Sequence, residues 1–259
     1  MIHRRRGRVA LITGGSRGIG AEVALLLAEQ GFHVILTYRQ KAARAQRVLA
    51  AIERRGVQGL ALPCDLTLPC DLARLFARVG EWTDRLDALV LNASGGLEPA
   101  RQAEDPEYPL HINRDAQIAC VEAALPLLAP GSTILFVTSH WAHLYPQMKQ
   151  FAGYGVVAQS KYAGEQALRA RHEEWLARGL RLLVVTGDLV EGTVTPMLLA
   201  RAMPEALERH RAASGALPTV AQMAQAIVQT LTDTTLVSGS TVAVGEPLSA
   251  LLTRYHRDD

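Results

Sequence analysis

The stretch that decides the fold is Thr13-Gly14-Gly15-Ser16-Arg17-Gly18-Ile19-Gly20. It follows Val9-Ala10-Leu11-Ile12, an apolar run of strand length. It precedes a helical period from Ala21 to Gln30, which Gly31 ends as a C-cap. Glycines are common in any loop, but between a strand and a helix their spacing has meaning. Gly14 permits a tight turn. Gly18 lets the backbone approach a pyrophosphate. Gly20 lets the helix pack close to the sheet. The helix start then offers N–H donors and a positive dipole end to an anion.

Outward from this turn, apolar runs alternate with helical periods. Strands are expected at Val34–Leu36, Leu60–Leu62, Ala88–Leu91, Thr133–Val137, Leu182–Val185 and Thr241–Val244. Helices are expected over 42–55, 71–79, 109–128, 156–177 and 220–231, with Thr219 as the last N-cap. Continuous apolar strands separated by helices indicate a parallel sheet covered on both faces. The expected class is α/β, a Rossmann-like doubly wound sheet in a single domain spanning 1–259. No repeat, low-complexity segment or linker interrupts it.

The 259 residues carry 27 basic and 25 acidic side chains, 49% hydrophobic and 20% charged residues. That balance excludes wholesale disorder and argues against a nucleic-acid binder. The charge is unevenly placed. Residues 1–60 hold eleven Lys/Arg, among them Arg4, Arg5, Arg6, Arg17 and Arg39, against three acids. The asymmetry points to an anionic ligand near this segment, against a plainer reading as a solvated basic face. Cys64, Cys70 and Cys120 give no disulfide framework and no metal-ligand spacing, so no metal is expected. The apolar run after Arg8 is too short for a signal or a membrane span, and a cytoplasmic location is expected.

The spacing Gly-x-x-x-Gly-x-Gly after a threonine resembles the short-chain dehydrogenase/reductase family, whose hallmark is T-G-x-x-x-G-x-G. The resemblance extends over about residues 7–245. It implies that Gly14, Ser16, Arg17, Gly18, Ile19 and Gly20 hold a dinucleotide, with Tyr38, Arg39, Asp65, Leu66, Asn92, Ala93 and Gly187 around it. Leu91-Asn92-Ala93-Ser94 departs from the family's N-N-A-G. Thr37-Tyr38-Arg39 offers no acid for a ribose 2′-hydroxyl, whereas Arg39 and Arg17 suit a 2′-phosphate. NADP(H) is therefore expected over NAD(H).

The family's catalytic residues fall on Ser139, Lys161 and Asn113. Its tyrosine, four residues before the lysine, is replaced by Val157, which cannot donate a proton. Tyr154, seven before Lys161, can share that helix face one turn further out. Gly153 and Gly155 would also allow a non-helical approach. Tyr162 points about 100° away. His140, Trp141, His143 and Tyr145 lie between Ser139 and the helix, and a loop histidine is as a rule a surface or packing residue. A substrate hydroxyl, or a water held by Ser139 and Lys161, is another possible proton source.

Residues 188–215, with Leu189, Val190, Met197, Leu198, Leu199 and Met203, read as a lid over an apolar or aromatic small molecule. The leading expectation is an NADP(H)-dependent ketoreductase or dehydrogenase with an unconventional proton donor. A non-catalytic NADP-binding sensor or partner protein, and an isomerase or dehydratase, remain open. The resemblance also implies a homodimer or homotetramer built on the helices at 109–128 and 156–177, without nucleic acid or membrane.

Overall fold

A computed structural model describes residues 7–151 and 153–256, apart from the side chains of Pro99 and Ala202. Arg4, Arg5 and Arg6 of the basic segment lie outside the described residues, as do both ends of the expected 1–259 domain. The elements in chain order are β1 (Val9–Ile12), α1 (Gly18–Glu29), β2 (His33–Tyr38), α2 (Ala42–Glu53), β3 (Gly59–Pro63) and α3 (Pro69–Trp82). Then follow β4 (Leu86–Leu91), α4 (Pro99–Glu104), α5 (Tyr108–Leu110), a π-helical turn (His111–Asp115), α6 (Ala116–Ala124) and β5 (Leu128–Ser139). The chain continues through α7 (His140–His143), a 3₁₀ turn (Tyr145–Gln147), α8 (Gly155–Ala170), α9 (His172–Ala177) and β6 (Arg181–Gly187). It ends with α10 (Val194–Ala202), α11 (Pro204–Ser214), α12 (Val220–Thr232), β7 (Thr241–Val244) and α13 (Leu248–Tyr255).

The strands form one parallel sheet in the order β3-β2-β1-β4-β5-β6-β7. Alternation along each strand sends side chains to opposite faces. Leu11, Leu89, Leu91, Ile134 and Phe136 enter a core with Cys120 and Trp175 on one face. Ala10, Ile12, Val90, Leu135 and Val137 enter a core with Val23, Leu27 and Ile227 on the other. Both faces are covered, as continuous apolar strands require. A third cluster joins Trp141, Tyr154 and Val157 to Leu189, Leu199 and Leu207 and to Leu251 of α13. Among the described residues no helix is long and apolar enough to cross a membrane.

The structure corrects several expected boundaries. The helix expected over 109–128 is broken into α5, the π turn and α6, and residue 128 already belongs to β5. At the break the Asn113 amide donates to Gly95 O and Ser160 Oγ, both at 2.9 Å. The Asn113 carbonyl also lies 1.9 Å from where a Cβ on Gly164 would stand, so α8 can approach only because that residue is glycine. The helix expected over 156–177 ends at Ala170, where Arg171 N turns back to Leu168 O in an i→i−3 bond. The sequence reading missed α4 and α13. For α13 a signal existed, since Leu248, Leu251, Leu252 and Tyr255 have helical spacing.

Candidate functional site

The glycine turn is built by backbone geometry. Gly14 has φ +69° and Gly18 φ +54°, conformations that side-chain-bearing residues seldom adopt. Nothing lies within 4 Å of where a Gly18 Cβ would point, so open space adjoins the start of α1. Gly20 has a different role from the one expected. Its Cβ would stand 2.5 Å from both Gly14 O and Asn92 Nδ2, so it makes room for the turn rather than for the sheet. Close packing on the sheet falls to Gly15, whose Cβ would meet Leu36 Cβ at 2.6 Å.

Two threonines lace the strand ends together. Thr13 Oγ1 accepts from Asn92 N and Ala93 N, each at 3.0 Å. Asn92 Nδ2 donates to Thr13 O at 3.0 Å and Gly14 O at 3.3 Å. Thr37 Oγ1 accepts from Gly14 N at 3.1 Å. The sequence reading assigned no role to either threonine. The result fixes the crevice at the carboxyl ends of β1 and β4, where strand order reverses, the usual ligand position in such sheets.

Around this crevice, Tyr38 ends β2 and Arg39 follows it. Arg39 Nη1 donates to Tyr108 Oη at 2.7 Å, and its Nη2 lies 3.7 Å from Glu98 Oε1. Asp65 follows β3 with Leu66 buried beside it. The Asp65 carboxylate accepts from Thr67 N and Oγ1, and Arg101 lies 3.4 Å away. Arg17 and Ser16 lie on the turn, Arg17 exposed and Ser16 and Ile19 half-buried. Gly187 ends β6 under Met223 Sδ, 2.8 Å from where its Cβ would be.

At the end of β5, Ser139 Oγ and Tyr154 Oη are 2.9 Å apart. Tyr154 is the N-cap of α8, in αR conformation, with Gly153 at φ +77° before it, and its carbonyl accepts from Ala158 N at 2.9 Å. It therefore reaches Ser139 from the first turn of the helix, one turn beyond Val157. Tyr154 is buried, and burial raises its pKa against the smaller lowering effect of Ser139. Val157 is also buried, and its Cγ2 is 3.2 Å from where a Gly96 Cβ would stand. Desolvation alone pushes the Lys161 ammonium down to about 8. Asn113 reaches the neighbouring residue of α8 through Ser160. Tyr162 leans on Tyr145 with ring centroids 6.0 Å apart.

Sequence reasoning missed a buried polar latch beside the site. Asp188 follows β6, and its Oδ1 lies 2.9 Å from His210 Nε2 of α11, both side chains being almost wholly buried. Tyr255 Oη reaches His210 Nδ1 at 3.1 Å, and Trp141 packs edge-on against the imidazole at 4.9 Å. The expected lid 188–215 is thus α10 and α11, tied to β6 and α13. His140 and His143 are not loop surface residues but form α7. Burial holds His140 down to about 4, and Thr186 Oγ1 meets its Nδ1 at 3.0 Å. His143 and Arg169 both engage the buried Glu165 carboxylate.

The family model for short chain dehydrogenases matches residues 8–202. The chain belongs to the short-chain dehydrogenase family. A hydroxynaphthalene reductase of Aspergillus fumigatus is 34% identical to this chain over 166 residues, 62% of this chain and 56% of the relative. A 1-cyclohexenylcarbonyl-CoA reductase of Streptomyces collinus is 29% identical over 72% of this chain and 66% of its own. The chain thus spans between about half and two thirds of the length of these curated relatives. A Burkholderia cenocepacia short chain dehydrogenase solved with NADP superposes with a TM-score of 0.81 at 27% identity, over 95% of this chain and all of that one. An angucycline C-6 ketoreductase with bound NADP gives 0.77 at 25%, over 95% and 99%.

Proposed function

We propose that this dehydrogenase is an NADPH-dependent ketoreductase in which Tyr154 delivers the proton. The observation that carries the reading is the 2.9 Å contact between Tyr154 and Ser139. Ser139 ends the strand where the family places its carbonyl-orienting serine. A tyrosine beside it can supply the proton that Val157 cannot.

The residues present suit the cofactor. Open space beside Gly18, next to the first N–H groups of α1, accommodates a pyrophosphate. Gly14, Ser16, Ile19 and Gly20 would frame it. Asn92, Ala93 and Gly187 would border the nicotinamide half, and Tyr38, Asp65 and Leu66 the adenosine half. Arg39 and Arg17 would meet the 2′-phosphate, whose oxygens a guanidinium fork matches. NADPH, when bound, supplies the hydride for the substrate carbonyl carbon.

This chain's own groups do the rest. Ser139 Oγ orients the carbonyl oxygen. Tyr154, whose phenol pKa burial raises further above its ordinary range, donates a proton to that oxygen as charge develops on it. Lys161 would bind the nicotinamide ribose hydroxyls. Its lowered ammonium pKa suits proton exchange near neutrality, in a relay with Asn113. Leu97 and the buried Val157, Leu189 and Leu199 pack in the same apolar cluster as Tyr154, so a substrate would enter beside them only as the α10–α11 segment shifts. An apolar ketone, aromatic or alicyclic, is the substrate class we infer. The names of the hydroxynaphthalene and angucycline relatives support that class.

A groove of about 350 Å³ runs along Pro109, Leu110, Val156 and Ala163 of α5 and α8, helices the family resemblance assigns to subunit pairing, and we assign it to a second copy. The decisive experiment is NADPH oxidation against a panel of aromatic ketones and quinones, with wild type and Tyr154→Phe. Turnover by wild type and its loss in the variant, with NADPH binding retained, supports the reading. Tight NADPH binding without turnover on any carbonyl would make the chain a sensor instead.

A further inference from the structure

We infer that Tyr108 and Glu98, on the long connection after β4, set how strongly this enzyme prefers a 2′-phosphorylated cofactor. Tyr108 positions the Arg39 guanidinium, and Glu98 is the anion that the phosphate must displace. The inference rests on the assignment of Arg39 to the 2′-phosphate.

The connection from Ser94 to Glu107 folds back over the ends of β2 and β3. Gly95 allows this, since its Cβ would stand 3.0 Å from Tyr108 Oη. Gly96, at φ +103°, turns the chain and donates its N–H to Glu98 Oε2 at 2.8 Å. The Glu98 carboxylate is thereby held in place on the side facing Arg39. Arg101, on α4, stacks toward the Tyr108 ring at 5.4 Å and reaches Asp65. Two guanidiniums therefore flank one buried tyrosine at the adenosine end of the crevice.

The two contacts on Arg39 differ in kind. Tyr108 Oη accepts from Nη1 at 2.7 Å, a short hydrogen bond to an uncharged group. Burial raises the Tyr108 pKa, with Glu98 adding to the rise, so the phenol stays neutral and leaves the Arg39 charge uncompensated. Glu98 Oε1, at 3.7 Å from Nη2, is outside hydrogen-bond range and about two-fifths exposed. Such a pair is weak and exchangeable. A phosphate offers the same guanidinium two in-plane acceptors and more charge. Glu98 therefore opposes the phosphate, while Tyr108 orders its receptor.

The test is fluorescence titration of the full chain with NADPH and with NADH, in wild type, Glu98→Gln, Tyr108→Phe and Arg39→Ala. Glu98→Gln should tighten NADPH roughly three- to fivefold, the scale of one exposed ion pair, with NADH unchanged. Tyr108→Phe should weaken NADPH by a similar factor, again sparing NADH. Unchanged NADH binding also shows that each variant is folded, and the exposed Glu98 carries the test if Tyr108→Phe does not fold. If Arg39→Ala collapses the NADPH/NADH ratio while Glu98→Gln leaves it unaltered or shifts both cofactors together, the inference is wrong and the Arg39 assignment stands. If Arg39→Ala leaves the ratio unchanged, both fall.

Discussion

The glycine-turn side and the lid side of the crevice are built on opposite principles. On the first, the backbone is the structural material. Gly14 and Gly20 make room for the turn and for Asn92, Gly15 makes room for Leu36, and threonine hydroxyls accept from the nearby backbone N–H groups. On the second, side chains from distant segments do the work. Ser139 meets Tyr154 across 15 residues, and Asp188 meets His210 across 22. Backbone geometry tolerates almost no change in residue type. Side-chain geometry can be rebuilt from another position, which is what the proposed role of Tyr154 requires.

Four variants would break or sharpen this contrast. The largest effect belongs to Tyr154→Phe, which should lower ketone turnover by about 10²- to 10⁴-fold while leaving the NADPH Kd unchanged. Retained turnover would move the proton source to water or substrate. Next is His210→Ala, which leaves the Asp188 carboxylate buried without its partner. A loss of about 3 kcal/mol in denaturant unfolding is expected. A change under half that size would mean that the lid is not held by this pair.

Lys161→Met should have the opposite sign. Burial holds the folded ammonium at about 8, below the ordinary 10.5, so the lysine destabilises the fold whenever it is charged. The unfolded chain binds more protons between those two values, and wild-type stability rises with pH across that window. The variant should therefore be more stable by up to about 3 kcal/mol at neutral pH. Its advantage should fade between about pH 8 and 10.5, as thermal melts across that range would read. A constant difference would place the lysine in water. The smallest expected effect is Gly20→Ala, costing about 1–3 kcal/mol by forcing a methyl against Gly14 O and Asn92. An unchanged melting temperature would show that the turn yields as readily as the lid side.

Much of the fold was legible because it rests on local pattern. Seven apolar runs became seven parallel strands, and Thr219 caps α12 in a capping box with Gln222. The break at Asn113 was not legible. It depends on Gly95, Ser160 and Gly164, residues brought together by three different elements. Within the candidate site, the glycine turn between β1 and α1 and the place of Ser139 at the end of β5 were legible in the sequence. The latch at His210 was not, because a lone histidine in a polar helix carries no local sign of a buried carboxylate 22 residues away.

The sequence by itself determined the sheet, the glycine turn and the absence of a tyrosine four residues before Lys161. These are properties of residue type and short-range spacing, which periodicity and backbone sterics fix. Only the tertiary structure decided that Tyr154 meets Ser139, that Arg39 points at Tyr108 and Glu98, and that α11 is tied to β6 through His210 and Asp188. Each of these depends on side chains far apart in the chain, and their meeting is set by how helices and connections pack on the sheet.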